Sequence, residues 1–300
     1  MEDKLASPAG FGFLNYSLNA EPSVSLAPSD PGISVKKDAF WSYCGPLLLA
    51  DPDSLPPSLH EWADAALSSP SPSSILPLFL PFLTFINALL ASHGLHNYWL
   101  TIRATKASGE FDQPRWHTDD LFFSDSSSSP SFSSGSEDGY ERGVGEGGGR
   151  LERELDLQTD WKLCATLLGP PTLFIPAPHQ PAARTASLAA KRELATPHTC
   201  TAIRCPGCGA TAAAVRGRLA AELAPLGSAQ PREGECAVFR IGEGEGAVHS
   251  EPRMGGGDRI FVNVVPGRRG ELEGLLARWG MGFPRSWWVA PGVLRRHELM

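Results

Sequence analysis

RIFVNVV, residues 259–265, has the β-branched content of a strand. Successive side chains on a strand point to opposite faces, so Arg259, Phe261 and Asn263 share one face and Ile260, Val262 and Val264 the other. The second face is apolar and suits a core; the first carries a guanidinium and an amide. The segment before it, Glu251-Pro252-Arg253-Met254-Gly255-Gly256-Gly257, is built to turn, because proline fixes one dihedral and glycine permits positive φ. The chain can therefore return beside the strand it has just left, near His249.

The same reading extends to other segments. NYWLTIRAT (97–105), WKLCATLLG (161–169), TLFI (172–175) and CAVFRI (236–241) have strand composition, and 115–119 is read as a further short strand. Helices are expected at 57–66, with Ser58 near the cap, at 81–92, 182–194 and 211–223, and as a closing element at 270–279. GEGEG (242–246) lacks the lysine of a phosphate loop and reads as a turn carrying the chain toward His249. Short strands between Pro/Gly turns, with helices before and around them, argue for an α+β protein. Its natural core is a β-sandwich or small open barrel, and a double-stranded β-helix (jelly roll) fits these strands.

Residues 1–40, rich in Ser, Pro and Ala, read as an irregular arm, and residues 41–300 as a single domain. Two insertions are expected within it. The Ser/Gly/Glu tract 124–149 has too few apolar groups to offset ordering entropy and reads as disordered. The segment 177–234 reads as helical and cysteine-bearing.

A chain of 300 residues that is 42% hydrophobic can build a substantial core. The formal net charge of −7 disfavours a nucleic-acid partner. Six cysteines over this length, after an acidic start that does not resemble a signal peptide, read as reduced thiols in an intracellular, cytoplasmic protein, with the nucleus left open. Residues 75–91 are apolar but short for a bilayer span and contain two prolines, so a buried helix is expected and no membrane partner.

His117-Thr118-Asp119 supplies the chemistry. Residues two apart on a strand share a face, so an imidazole and a carboxylate can meet one ion there, and His249 can add a second imidazole. Two histidines and one carboxylate on one side of an octahedral ion leave three positions open, which suits non-haem Fe(II). Arg259 can then hold the far carboxylate of a keto acid in a bidentate pair, with Asn263 and Phe261 on the same wall. Trp116 would point away from His117 and support it from behind.

HTD, the distant His249 and an arginine ten residues later together resemble the HxD…H…R signature of the Fe(II)/2-oxoglutarate-dependent oxygenases. The resemblance spans about residues 97–267 and implies a double-stranded β-helix. It also implies iron on His117, Asp119 and His249, 2-oxoglutarate on Arg259, and oxidation, commonly hydroxylation, of an organic substrate. That substrate, a small molecule or a protein side chain, is not specified. The stretch of about 130 residues between Asp119 and His249 is longer than in compact members, and the two insertions account for it.

Blander readings stand beside this one. His249-Ser250-Glu251 offers a second His-x-acid pair, and Arg259 could pair structurally with Glu243, Glu245 or Asp258. The chain could be a cupin-like metalloenzyme of another reaction class, or a non-catalytic β-barrel binding protein. HTCTAIRCPGCG places His198, Cys200, Cys205 and Cys208 as potential ligands of a structural zinc, with free thiols as the default.

Overall fold

The computed structural model describes residues 1–17, 32–69, 72–109, 113–123, 159–195 and 206–290. Along the chain run α1 (Glu2–Ala6), β1 (Phe11–Asn15), β2 (Ser34–Val35), β3 (Ala39–Pro46), α2 (Pro57–Ala66), β4 (Leu67–Ser68) and α3 (Leu76–Ser92). Then follow β5 (Asn97–Thr105), β6 (Trp161–Leu168), β7 (Leu173–Phe174), α4 (Gln180–Leu194), α5 (Pro206–Leu223) and β8 (Glu235–Arg240). The last are β9 (His249–Ser250), β10 (Arg259–Pro266), α6 (Arg269–Ala277) and β11 (Arg285–Val289).

Seven strands form one antiparallel sheet in the order β1-β8-β6-β10-β5-β3-β11. With six helices among the described residues, the protein mixes α and β. The alternation of β10 sets the two faces. Ile260, Val262 and Val264 are buried, and so are Leu100, Ile102 and Trp41 from β5 and β3. They pack on α2 and α3 through Leu59, Trp62, Phe79, Phe82, Leu83 and Ile86. Each such side chain contributes about 1.5–3 kcal/mol of burial free energy, which makes this layer the main stabilising term.

The apolar spacing of Leu76, Phe79, Phe82, Leu83, Ile86 and Leu90 also explains α3. This helix starts five residues before the expected boundary at 81 and holds Pro81 in its interior. The proline forfeits one backbone bond, and burial of an i, i+3, i+4, i+7 stripe outweighs that loss. No helix among the described residues is long and apolar enough to cross a membrane.

The first residues are not the irregular arm expected of 1–40. Phe11–Asn15 is an edge strand paired with β8, and Phe11 stacks on Phe174 with centroids 4.8 Å apart. Trp41 lies within a sheet strand, β3. The helix at 57–66 is present, but its cap residue is Pro56, and Ser58 instead accepts the Trp41 indole N–H at 2.9 Å. The helix at the C-terminal end is not the closing element, because β11 follows it and adds to the sheet beside β3.

A second, shorter ladder faces the polar side of the sheet. β7 pairs with β9, His117 bridges to His249, and Phe174 bridges to Ala229. The strand expected over 115–119 is reduced to that single bridge. The segment 177–234 holds α4 and α5, which pack on one another. The tract 124–149 lies outside the described residues, as do His198, Cys200 and Cys205. Cys208, the remaining residue of the zinc reading, sits buried on α5, and none of Cys44, Cys164, Cys208 and Cys236 is in a disulfide.

Candidate metal centre

His117 and His249, far apart in sequence, are brought together by a backbone pair. Each donates its N–H to the other's carbonyl at 2.9 Å, so their side chains leave the ladder on the same side. The rings lie 4.4 Å apart, centroid to centroid. Asp119, two residues beyond His117, turns to the same side. Its backbone carbonyl accepts the Gly242 N–H at 2.7 Å. Gly242 has φ of 108°, a conformation that glycine adopts without strain. GEGEG is thus the expected turn, tied to the site by its first residue.

Oδ1 of Asp119 is 3.7 Å from His117 Nε2, and Oδ2 is 3.5 Å from His249 Nε2. One ligand atom from each of the three residues lies within 4.8 Å of the others, so the group could hold a metal ion. Ligands on one ion stand closer together than this, so binding a metal would draw the three side chains inward.

The tautomers fit. His117 Nδ1 lies 2.8 Å from the Arg115 carbonyl, and His249 Nδ1 lies 2.9 Å from the Ala247 carbonyl. A carbonyl only accepts, so both Nδ1 atoms carry a proton, and both Nε2 atoms face the carboxylate. Burial first, and the neighbouring His117 second, push the His249 pKa down to about 4, which keeps this imidazole neutral near pH 7. Burial alone would raise the Asp119 pKa. Lys162, His249 and His117 outweigh it and hold the carboxyl well below the usual range.

The supporting contacts were not foreseen from the sequence. Lys162 on β6 donates to Asp119 Oδ2 at 3.0 Å and rests over the Phe122 ring. Its only signal was a charged residue on the alternate face of an otherwise apolar strand. Gln180, fully buried at the start of α4, donates to the carbonyls of Ile175 and Val248 and accepts the Val248 N–H, fixing the backbone next to His249. No sequence feature pointed to it. Trp116 is buried among Ala183, Val215, Leu219 and Val248, but it also lines the cavity and so does not only support the site from behind.

Glu251, the rival acid, lies 3.7 Å from Arg115 and is not in the triad. Burial would raise its pKa, but His117 and Arg115 bring it down to about 2.

Arg259 opens β10 and is 5% exposed. It donates through Nε to the Pro170 carbonyl at 3.0 Å and through Nη2 to Thr172 Oγ1 at 2.9 Å, and it stacks on Phe261. None of the three structural partners weighed from sequence holds it. Glu243 pairs with Lys191 and Glu245 with Arg240, while Asp258 accepts the N–H groups of Val35 and Ala107. Among the described residues Arg259 has no carboxylate in ion-pair reach. Burial lowers its pKa to about 10, so it stays cationic near pH 7. Asn263 makes no side-chain hydrogen bond to a described residue.

His117, Asp119, His249, Arg259, Phe261 and Asn263 all line one cavity of about 260 Å³ between the sheet and the short ladder. Comparison of the chain with protein-family models, with curated proteins and with solved structures finds no match in any of the three.

Proposed function

We propose that this chain is an Fe(II)- and 2-oxoglutarate-dependent oxygenase on a double-stranded β-helix, oxidising an organic substrate. The observation that carries the reading is a juxtaposition: a His-Asp-His triad shares one cavity with a buried arginine that, among the described residues, has no carboxylate in ion-pair reach. Burial of the Arg259 guanidinium is costly, Glu251 offsets part of that cost through space, and an anion bound directly on it would offset more. The long sheet opposed by the short ladder of β7, β9 and the His117 bridge supports the β-helix.

His117, Asp119 and His249 would hold the metal, and Arg259 would hold the far carboxylate of 2-oxoglutarate. Bound Fe(II) supplies the redox chemistry by which O2 and 2-oxoglutarate become succinate, CO2 and one oxygen atom inserted into a substrate C–H bond. The protein's part is to position and exclude. Both imidazoles anchor Nδ1 on a backbone carbonyl and turn Nε2 to the carboxylate, Lys162 keeps the carboxylate ionised, and Thr172 with the Pro170 carbonyl fixes the guanidinium plane. Phe174 and Phe239 pack against the His249 ring and keep water from its faces.

The test is anaerobic addition of Fe(II) and then 2-oxoglutarate to the full chain, watched for the visible metal-to-ligand absorption band of the chelate. The band is expected in the wild type and absent in Asp119→Ala. In Arg259→Ala it should require at least about tenfold more keto acid, while metal affinity is unchanged. No band at any pH where both histidines are neutral removes the proposal.

A further inference from the structure

Asn263 stands inside the sheet, on the face that carries the cavity. Across the strands at its level run Cys164 on β6, Asn263 on β10, Thr101 on β5, Ser42 on β3 and Trp287 on β11. All five line the cavity. Asn263, Thr101, Ser42 and Trp287 neither belong to the triad nor hydrogen-bond to Arg259. The row is therefore a part of the cavity that the metal and the keto acid do not account for.

Its hydrogen-bonding capacity is only partly used. Ser42 and Thr101 share a 3.0 Å hydrogen bond, which consumes one of their two hydroxyl protons and leaves the other as a donor. Asn263 keeps more. Its amide makes no hydrogen bond to a described residue, and neither of its polar atoms is buried out of reach. Two N–H donors and a carbonyl acceptor thus stand side by side in one plane on the cavity wall.

The surroundings are aromatic. Trp287 ends the row, its ring 6.0 Å from that of Trp99, and Trp99 meets Phe122 edge-on at 5.7 Å. All three line the cavity, whose volume of about 260 Å³ suits a compact ligand. Rings packed this way offer flat apolar area to a flat partner.

The asparagine selects the polar group of that partner. A carboxamide or lactam presents the same donor and acceptor in reverse and makes two bonds at once, as asparagine does with the paired donor and acceptor of a base edge. A ketone lacks the donor. A carboxylate sets a second acceptor against the Asn263 carbonyl. Either leaves a polar atom unmet between apolar walls, at about 1–3 kcal/mol.

We propose that this row binds the organic substrate, and that the substrate is a neutral planar amide. Its N–H and C=O pair with Asn263, and its ring lies against Trp99, Phe122 and Trp287. Naming this ligand as the molecule oxidised rests on the oxygenase reading; the amide site itself does not.

The experiment is calorimetric titration of the full chain with benzamide, benzoate and acetophenone, on the metal-free protein and again after loading with Mn(II) and 2-oxoglutarate. Benzamide should bind at least about tenfold more tightly than the other two, without displacing 2-oxoglutarate. Asn263→Leu should erase its advantage over acetophenone and leave Mn(II) and 2-oxoglutarate affinities unchanged. The comparison of probes on the wild type needs no variant, so a poorly folding substitution does not shield the idea. Equal affinities, tighter binding of benzoate, no binding of any probe in either state, or an advantage that survives Asn263→Leu overturns it. Displacement of 2-oxoglutarate by benzamide, or weaker 2-oxoglutarate binding in Asn263→Leu, assigns Asn263 to the keto acid and overturns it too. An Asn263-dependent preference for benzamide in a protein that takes up neither Mn(II) nor 2-oxoglutarate would sink the oxygenase reading and still support the amide site.

Discussion

Lys162 donates a 3.0 Å hydrogen bond to Oδ2 of Asp119, so the carboxylate proposed to bind iron already has a cationic partner in the metal-free chain. The two side chains are 12% and 20% exposed, which leaves little solvent to screen them. Lys162→Met strands the carboxylate, and the metal-free protein should lose about 1–3 kcal/mol, less than for a fully buried pair. The same change removes a positive charge that repels a divalent ion. Mn(II) should therefore raise the melting temperature of Lys162→Met by more than it raises that of the wild type. Equal rises would show that Lys162 does not act on the site.

The His249 imidazole gives a pH dependence of definite sign. Its folded pKa is brought down to about 4 by burial, then by His117, against 6.5 for an ordinary histidine. Between those values the unfolded chain binds a proton that the folded chain refuses. Stability from this group is thus complete above about pH 6.5 and falls as the pH drops toward 4. The metal-free protein should lose of order 1–3 kcal/mol across that window by thermal melts. The loss should shrink in His249→Gln, and an identical slope in that variant would remove His249 as its source.

Gln180 links α4 to the site. Both polar atoms of its buried amide are used, on Ile175 and Val248. Gln180→Leu leaves a buried N–H and two carbonyls without this partner, at about 1–3 kcal/mol for each group left unsatisfied. Because Val248 precedes His249, metal affinity should fall along with stability, by about tenfold or more. A variant that melts earlier but binds Mn(II) as tightly as the wild type would make Gln180 a purely structural residue.

Legibility in the sequence followed how each element is buried. NYWLTIRAT and RIFVNVV lie inside the sheet, with one face on α2 and α3 and the other on the cavity, so their β-branched and aromatic content makes them and their boundaries readable. β1 and β11 are edge strands. The two-residue register of β7 and β9 is too short to carry a period. The pairing of His117 with His249 could be proposed from motif order, but its cause, one backbone bridge, leaves no local trace. Lys162 and Gln180 act through contacts with residues distant in sequence, which composition and spacing do not encode. Pro81 shows the reverse case, in which a local breaker is overridden by the packing of its neighbours.

Gly169 follows β6 and packs closely against the backbone at the start of β10, beside Arg259. Its φ is +84°, and a Cβ there would overlap the Asp258 carbonyl oxygen and press on Arg259 Cα at 3.1 Å. These are backbone atoms of a paired strand and cannot swing aside as a side chain would. Gly169→Ala therefore meets both dihedral strain and a steric clash, and should cost more than about 2 kcal/mol. Whatever folds should have Arg259 displaced from Pro170 and Thr172, weakening 2-oxoglutarate while the triad, held by other backbone contacts, still binds Mn(II). Gly274→Ala is the control, since nothing lies within 4 Å of its Cβ position on α6, and the exchange should stabilise the helix by about 0.5–1 kcal/mol. Melting curves and keto-acid titrations of the two Mn(II)-loaded variants separate the cases. An unshifted Gly169→Ala would mean that the close approach of these two strands does not constrain the arginine.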